Sequence, residues 1–342
     1  MKKYLQSLSL QQSLSFEEME RASEKLLQDQ TELVEIAAFL IALRTKGETA
    51  EEIAGLVSIL KKNANTFPVA YEDLIDICGT GGDGVGSFNI STASAFVLAG
   101  TGVPVAKHGN RSVSSKSGST DVLEKLGIPA TMSMKQQENL LRESNLTFLY
   151  APTMHPRVKN IMRVRKQLKV PTIFNVIGPL TNPLAINYQL MGVFQQEYMP
   201  RIAEVLAKTE QKRSLLVHGA GGMDEASLLG ENKCILIEKG ETKSFTFQPE
   251  DIGLPRYTLA EIQGGNPEEN AQILLNVLQG EKGAHLDTVL LNAGLALFTA
   301  QKVKDISAGI KMAKASVHSG EALKILKSVQ QVAKTNQREV SI

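Results

Sequence analysis

Gly79-Thr80-Gly81-Gly82-Asp83-Gly84-Val85-Gly86 follows the apolar run Leu74 to Cys78 and precedes a helical pattern that begins near Asn89. Glycines let backbone amides approach a ligand closely, and a helix start just beyond them presents unpaired N–H groups, so the arrangement suits phosphate. Two familiar nucleotide loops are poor matches. The spacing of Gly79, Gly81 and Gly84 fits a dinucleotide fingerprint, but the acidic residue that fingerprint needs about 20 positions later is missing. No Lys-Ser/Thr pair closes the stretch as in a P-loop.

Working outward, short apolar runs alternate with glycine-rich turns and helical patterns, the texture of a parallel α/β sheet. Strands are expected at Leu74 to Cys78, Val103 to Ala106, Leu146 to Tyr150, Gln189 to Phe194 and Ser214 to Val217, and a hairpin at Cys234 to Ile237 with Lys243 to Phe247. Residues 1 to about 66 read as helices only. Ser15 with Glu18 and Thr49 with Glu52 are capping-box pairs, and Leu33, Ile36, Ala37, Leu40 and Leu43 mark one face of a helix ending near Gly47. The expectation is therefore a small helical domain, residues 1–68, beside an α/β domain of residues 69–153 and 188–342. About 154–187, a basic helix and a Pro- and Gly-rich stretch, would return to the helical unit. No internal repeat or low-complexity segment is present.

Composition narrows the class. The 342 residues, 42% hydrophobic and 21% charged, suffice for about two folded domains. Lys and Arg number 37 against 36 Asp and Glu, a balance that argues against wrapping nucleic acid or an anionic membrane. Two distant cysteines, Cys78 and Cys234, support neither a disulfide framework nor a zinc site. With no signal-peptide core and no apolar run long enough to span a bilayer, the cytoplasm is the expected compartment.

Three further segments carry chemistry. From Gly84 to Thr120 there is no Asp or Glu, while Lys107, Arg111 and Lys116 add positive charge and Ser87, Asn89, Ser91, Thr92 and Asn110 add polar groups. Lys107-His108-Gly109-Asn110-Arg111-Ser112-Val113-Ser114-Ser115 is expected as a loop at the carboxyl edge of the sheet beside the first glycine loop, and two adjacent donor-rich loops imply a ligand with more than one phosphate. Asp224-Glu225, beyond Gly219 to Gly222, places two hard oxygen ligands on a turn or helix start. They suit magnesium shared with phosphates, or alternatively a helix dipole. In the helix expected over Met154 to Lys169, Arg165 falls in the middle of the face formed by Val158, Ile161, Met162 and Leu168, and needs either a buried carboxylate or an anionic ligand.

Taken together, the glycine loop, Asn89-Ile90-Ser91-Thr92, the Lys107 to Ser115 loop with Gly118-Ser119-Thr120-Asp121, Phe174 to Pro183, Asp224-Glu225 and Asn292-Ala293 resemble the anthranilate phosphoribosyltransferases over nearly the whole chain. Ser87 stands where that family often has threonine and Thr120 where alanine is usual; Arg157 after His155-Pro156 is less usual and has no assigned role. The resemblance implies the nucleoside phosphorylase-type phosphoribosyltransferase fold and a homodimer formed through the helical domain. It also implies transfer of phosphoribose from phosphoribosyl pyrophosphate (PRPP) to anthranilate, the second step of tryptophan biosynthesis from chorismate. Carried over by position, Gly79, Gly82, Asp83, Ser87, Asn89, Ile90, Ser91, Thr92, Lys107, His108, Gly109, Asn110, Arg111, Ser112, Val113, Ser114, Ser115 and Ser119 would hold PRPP. Ser91, Asp224 and Glu225 would hold two Mg2+ ions. Gly79, Asn110 and Arg165 would contact anthranilate, with His108 and Pro179 lining its pocket. No general base is expected, because an aniline-type nitrogen is already nucleophilic. The rivals are a pyrimidine nucleoside phosphorylase of the same fold and a non-enzymatic nucleic-acid-binding relative.

Overall fold

The computed structural model describes residues 1–111 and 117–339. Four helices open the chain: α1 (Lys2–Ser9), α2 (Phe16–Leu26), α3 (Leu33–Lys46) and α4 (Ala50–Lys62). Both expected capping boxes form, with Ser15 and Thr49 accepting from the amides of Glu18 and Glu52, whose carboxylates accept from the capping residues' own amides. There follow β1 (Ile75–Gly79), α5 (Ile90–Ala99), β2 (Val105–Gly109), α6 (Ser119–Lys125), α7 (Met134–Ser144), β3 (Leu146–Tyr150), α8 (Ala151–Met154) and α9 (Lys159–Leu168). The chain continues through β4 (Tyr188–Gly192), α10 (Met199–Ala207), β5 (Arg213–His218), β6 (Asn232–Glu238) and β7 (Glu241–Phe247), then α11 (Pro267–Leu278), α12 (Ala284–Thr299), α13 (Ile306–His318) and α14 (Glu321–Glu339).

The seven strands make one sheet in the order β3-β2-β1-β4-β5-β6-β7. The first five are mutually parallel, while β6 and β7 form an antiparallel hairpin on one edge. Register places Gly79 beside Gly192 and Gly192 beside Val217, so glycines meet at the carboxyl ends of the central strands, the edge at which open α/β sheets bind ligands.

One core joins a sheet face to α5, α11, α12, α13 and α14 through residues such as Phe96, Leu215 and Leu291. A second is shared by α1 to α4, α9, α10 and inward-facing residues of the strands, among them Met191 and Leu216. Within it α9 packs on α3, and the turn Gly178–Thr181 packs on α4. The amphipathic helices join these cores along one apolar stripe, whereas α5 and α12, in the middle of the first core, are buried nearly all round.

Two local expectations change. The helix over Met154 to Lys169 is interrupted: His155 ends α8 and Pro156 opens a 3-10 turn before α9, because a proline lacks the N–H that an uninterrupted helix needs. Lys107, His108 and Gly109 belong to β2, where they pair with Phe148, Leu149 and Tyr150. That portion is strand rather than loop, since it has β3 available for pairing along its whole length.

Candidate active site

Four glycines after β1, Gly81, Gly82, Gly84 and Gly86, have φ between 70 and 83°, a region that an L side chain enters only with strain. The loop therefore turns sharply and leads into α5, whose cap is Asn89 and whose first turn holds no acid. Asp83 Oδ1 accepts from the Val85 amide at 3.1 Å. Ser87 bridges to Gln263, and Gly264 donates to Gly86 O at 2.9 Å. Asn270 Nδ2 donates to Asn89 Oδ1 at 2.9 Å, so the far side of the loop is held by residues 263–270. That support was not legible in the sequence, because nothing local in the segment marks its distant partner.

The Asp224-Glu225 pair lies on a bend beyond β5, not at a helix start, and is half-buried. Asp224 Oδ2 accepts from the Gly81 amide at 2.6 Å. A β-carbon on Gly79 would overlap the Asp224 carboxylate, and one on Gly192 would overlap the Asp224 carbonyl. Glycine at the ends of β1 and β4 is thus what lets the acid reach the β1 loop. Burial, Glu225 and Asp83 together push the Asp224 carboxyl well above the usual range. Burial raises Glu225 to about 7, opposed by Lys107 and by Ser91, whose hydroxyl and amide favour the charged form. Lys107 is buried and its charge acts on both Asp76 and Glu225.

Asp83 Oδ2 and the Thr92 hydroxyl are buried without a hydrogen-bond partner among the described residues. Among the described residues no three His, Cys, Asp or Glu side chains form a closed metal cage. Two neighbouring carboxylates and the Ser91 hydroxyl on one side of an open site are instead a donor set that fits Mg2+, which prefers oxygen, keeps waters and shares its shell with phosphates.

The other half of the site is built on β2. His108 donates its amide to buried Asp76 Oδ1 at 3.1 Å, and His108 Nδ1 lies 3.2 Å from Gly178 O. Burial, with His155 and Lys107 nearby, lowers His108 to about 3, leaving a neutral imidazole. Asp76 Oδ2 also accepts from Asn182 Nδ2 at 2.9 Å, which ties β1 and β2 to the Gly178 to Pro183 stretch. Pro179 is buried and its carbonyl accepts from Gln189 Nε2 at 2.7 Å. Ser119 Oγ donates to Asn110 O at 3.1 Å and occupies the space a Gly109 side chain would need. Arg111 forms ion pairs with Asp121 and Glu124 of α6, at 2.8 and 2.6 Å. Ile90 faces the core, so only its backbone is available to a ligand. Ser112, Val113, Ser114 and Ser115 lie outside the described residues.

Arg165 is half-buried on the face of α9 that Ile161, Val164 and Leu168 turn to the core. Its Nη2 donates to Asn175 Oδ1 at 3.2 Å and its guanidinium lies 5.5 Å from the Phe174 ring centre. No carboxylate among the described residues pairs with it, and burial lowers its pKa to about 10. The Phe174 to Pro183 stretch therefore links Arg165 at one end to His108 at the other.

Comparison with known proteins matches residues 2–64 to the family described as glycosyl transferase family, helical bundle domain, and residues 71–323 to its a/b domain. An anthranilate phosphoribosyltransferase of Exiguobacterium sibiricum is 52% identical over 97% of this chain and 98% of its own length. One from Bacillus cereus is 51% identical over 94% of this chain and 95% of its own. The crystal structure of the Thermus thermophilus enzyme superposes with a TM-score of 0.92 at 37% identity, covering 97% of this chain and 99% of that one. The Saccharomyces cerevisiae enzyme, solved in complex with PRPP and Mg, gives 0.89 at 28% identity with 97% of each chain covered. On the strength of these likenesses and the helical-plus-α/β architecture, the chain belongs to the anthranilate phosphoribosyltransferase family.

Proposed function

We propose that the protein transfers the phosphoribosyl group of PRPP to the amine of anthranilate, giving N-(5-phosphoribosyl)anthranilate and pyrophosphate, the second step of tryptophan biosynthesis from chorismate. One observation carries the reading: a glycine loop and an acid-free helix start meet the Asp224-Glu225 bend at the same sheet edge. A polyanion and the cation that neutralises it can be held side by side there. The identity with anthranilate phosphoribosyltransferases favours this reaction over nucleoside phosphorolysis.

In this reading the β1 loop amides, the α5 start, Lys107 and the Asn110 to Ser119 region hold PRPP. Ser91, Asp224 and Glu225 hold two Mg2+ ions, which supply charge neutralisation for the departing pyrophosphate. Arg165 receives the anthranilate carboxylate, with Gly79, Asn110, His108 and Pro179 around the ring. The C1′–O bond to pyrophosphate breaks as the anthranilate nitrogen bonds to C1′, and the nitrogen then loses its proton to the departing pyrophosphate or to water. Preorganised donors at the leaving group supply the main stabilisation. No side chain is assigned as base.

The helical unit is read as residues 1–68 with about 154–187, supported by α9 packing on α3. A homodimer through this unit is favoured by Leu10, Val34 and Val170, the large apolar side chains exposed among the described residues, all of which lie on it. No helix is long and apolar enough to cross a membrane among the described residues, in keeping with a cytoplasmic enzyme. The decisive experiment follows anthranilate fluorescence with purified protein, PRPP and Mg2+. Consumption that requires all three supports the assignment, and thymidine phosphorolysis in its place would overturn it.

A further inference from the structure

The acid pair stands on a bend that belongs to no helix and follows Gly221-Gly222 by one residue, a setting in which two carboxylates would ordinarily wander. Two buried asparagines prevent this. Asn292, on α12 and 1% exposed, accepts from the Ala226 amide at 3.0 Å and donates Nδ2 to the Ala226 carbonyl at 2.9 Å. Its second N–H goes to Thr288 O at 2.9 Å. Asn232, at the start of β6 and fully buried, repeats the pattern one residue on, accepting from the Ser227 amide at 2.7 Å and donating to the Ser227 carbonyl at 2.8 Å and to Gly230 O at 3.1 Å.

Each side-chain amide thus reads both the N–H and the C=O of one residue, as a neighbouring strand would, and each uses its oxygen and both its N–H bonds on backbone. On the opposite side, the absent side chains of Gly79 and Gly192 admit the Asp224 backbone and carboxylate, and that of Gly219 admits the Glu225 carbonyl. We propose that Asn292 and Asn232 are positioning residues that act as substitute strands, fixing residues 226 and 227 so that Asp224 and Glu225 present their carboxylates to the cation in a set geometry. The polar atoms of both asparagines are engaged with backbone, so neither is assigned to the substrate or the ion. The inference rests on the reading that this pair binds Mg2+. Partners behind metal ligands typically change metal affinity or activity by 10- to 100-fold when removed.

The test uses the full-length protein with Mn2+ as the probe, titrated in the presence of pyrophosphate and followed by the loss of free Mn2+ signal in electron paramagnetic resonance. Asn292→Ala should raise the apparent Mn2+ Kd at least about tenfold. It should also raise the Mg2+ concentration for half-maximal turnover while leaving KM for anthranilate at saturating PRPP within about twofold. Asn232→Ala, one residue further from the pair, should shift the same two quantities in the same direction, and it carries the test if Asn292→Ala does not fold. Val329→Ala, in the core under α14, controls for destabilisation alone and should leave Mn2+ binding unchanged. Unchanged Mn2+ affinity in a folded asparagine variant, or a shift matched by Val329→Ala, overturns the proposal. Asp224→Asn with Glu225→Gln separates the two levels: if it abolishes Mn2+ binding while the asparagine variants do not, the positioning role falls and the metal reading stands. If it binds Mn2+ normally, both fall.

Discussion

Replacing Arg165 by alanine tests the assignment of the anthranilate carboxylate. In the structure its guanidinium has two neutral acceptors, Asn175 Oδ1 and Met162 Sδ, each at 3.2 Å, and the Phe174 ring, and no acid among the described residues. Removing it therefore leaves no buried carboxylate stranded, and the 3 to 5 kcal/mol cost of breaking a buried ion pair does not arise. The lost stacking is worth about 0.5 to 1 kcal/mol, and relief of guanidinium desolvation offsets part of it. The melting temperature should move by only a few degrees, about 2 to 4 °C per kcal/mol for a domain of this size. The catalytic loss is larger. A charge-assisted hydrogen bond to a carboxylate contributes about 1.5 to 3 kcal/mol, so kcat/KM for anthranilate should fall about ten- to a hundredfold. KM for PRPP should barely change. Arg165→Lys, keeping the charge without the planar fork, should fall between the two. Steady-state kinetics in both substrates and a melting curve on one sample decide the matter. An intact fold with a defect confined to PRPP, or an unchanged kcat/KM for anthranilate, would refute the assignment.

Asp224→Ala with Glu225→Ala should keep the circular dichroism of the wild type and lose nearly all turnover; unfolding would point to a structural role for the pair. Gly192→Ala drives a methyl group into the Asp224 carbonyl and should cut kcat more than about tenfold with little change in secondary structure, a loss of the kind that follows small displacements of reacting groups. Asp76 is raised from 3.8 to about 6 by burial, so the folded state holds its proton where the unfolded state has lost it. The associated stability is full below about pH 4 and is lost as pH rises through 6. Thermal melts of Asp76→Asn should therefore improve relative to wild type between pH 4 and 7, and a pH-independent difference would contradict the raised pKa. Val34→Glu, on an apolar side chain 73% exposed, should convert the proposed dimer to monomer in light scattering; an unaltered mass would move the interface elsewhere.

What sequence reading recovers here is local. The capping boxes join residues three apart, and the strand-glycine-helix alternation is written in consecutive residues, so helices and strands emerge close to their true limits. The site is assembled over distance. Gly81 meets Asp224 across 143 positions only because β1, β4 and β5 lie side by side, an order that periodicity does not encode. Asp76 is legible as a strand residue, yet its partner Asn182 lies 106 positions away. Asn232 gave no signal at all, since an asparagine serving as a buried backbone clamp looks like any loop asparagine. The break before α9 was legible in Pro156, although a continuous apolar stripe concealed it.

The second core has a consequence for synthesis of the chain. Tyr4, Met19, Phe39 and Leu56 share their core with Ile161, Ile173, Met191 and Leu216. Helices formed by the first 62 residues pack on one another, α1 on α3 and α2 on α4, but the side they turn to α9, α10 and the strands stays open until β5 has been made. At about 5 to 20 residues per second, that wait is of the order of 10 to 30 s, long enough for a bare amphipathic bundle to meet other nascent chains. The isolated N-terminal fragment is expected to self-associate or bind holdase chaperones, and sedimentation of the fragment as a folded monomer would contradict this.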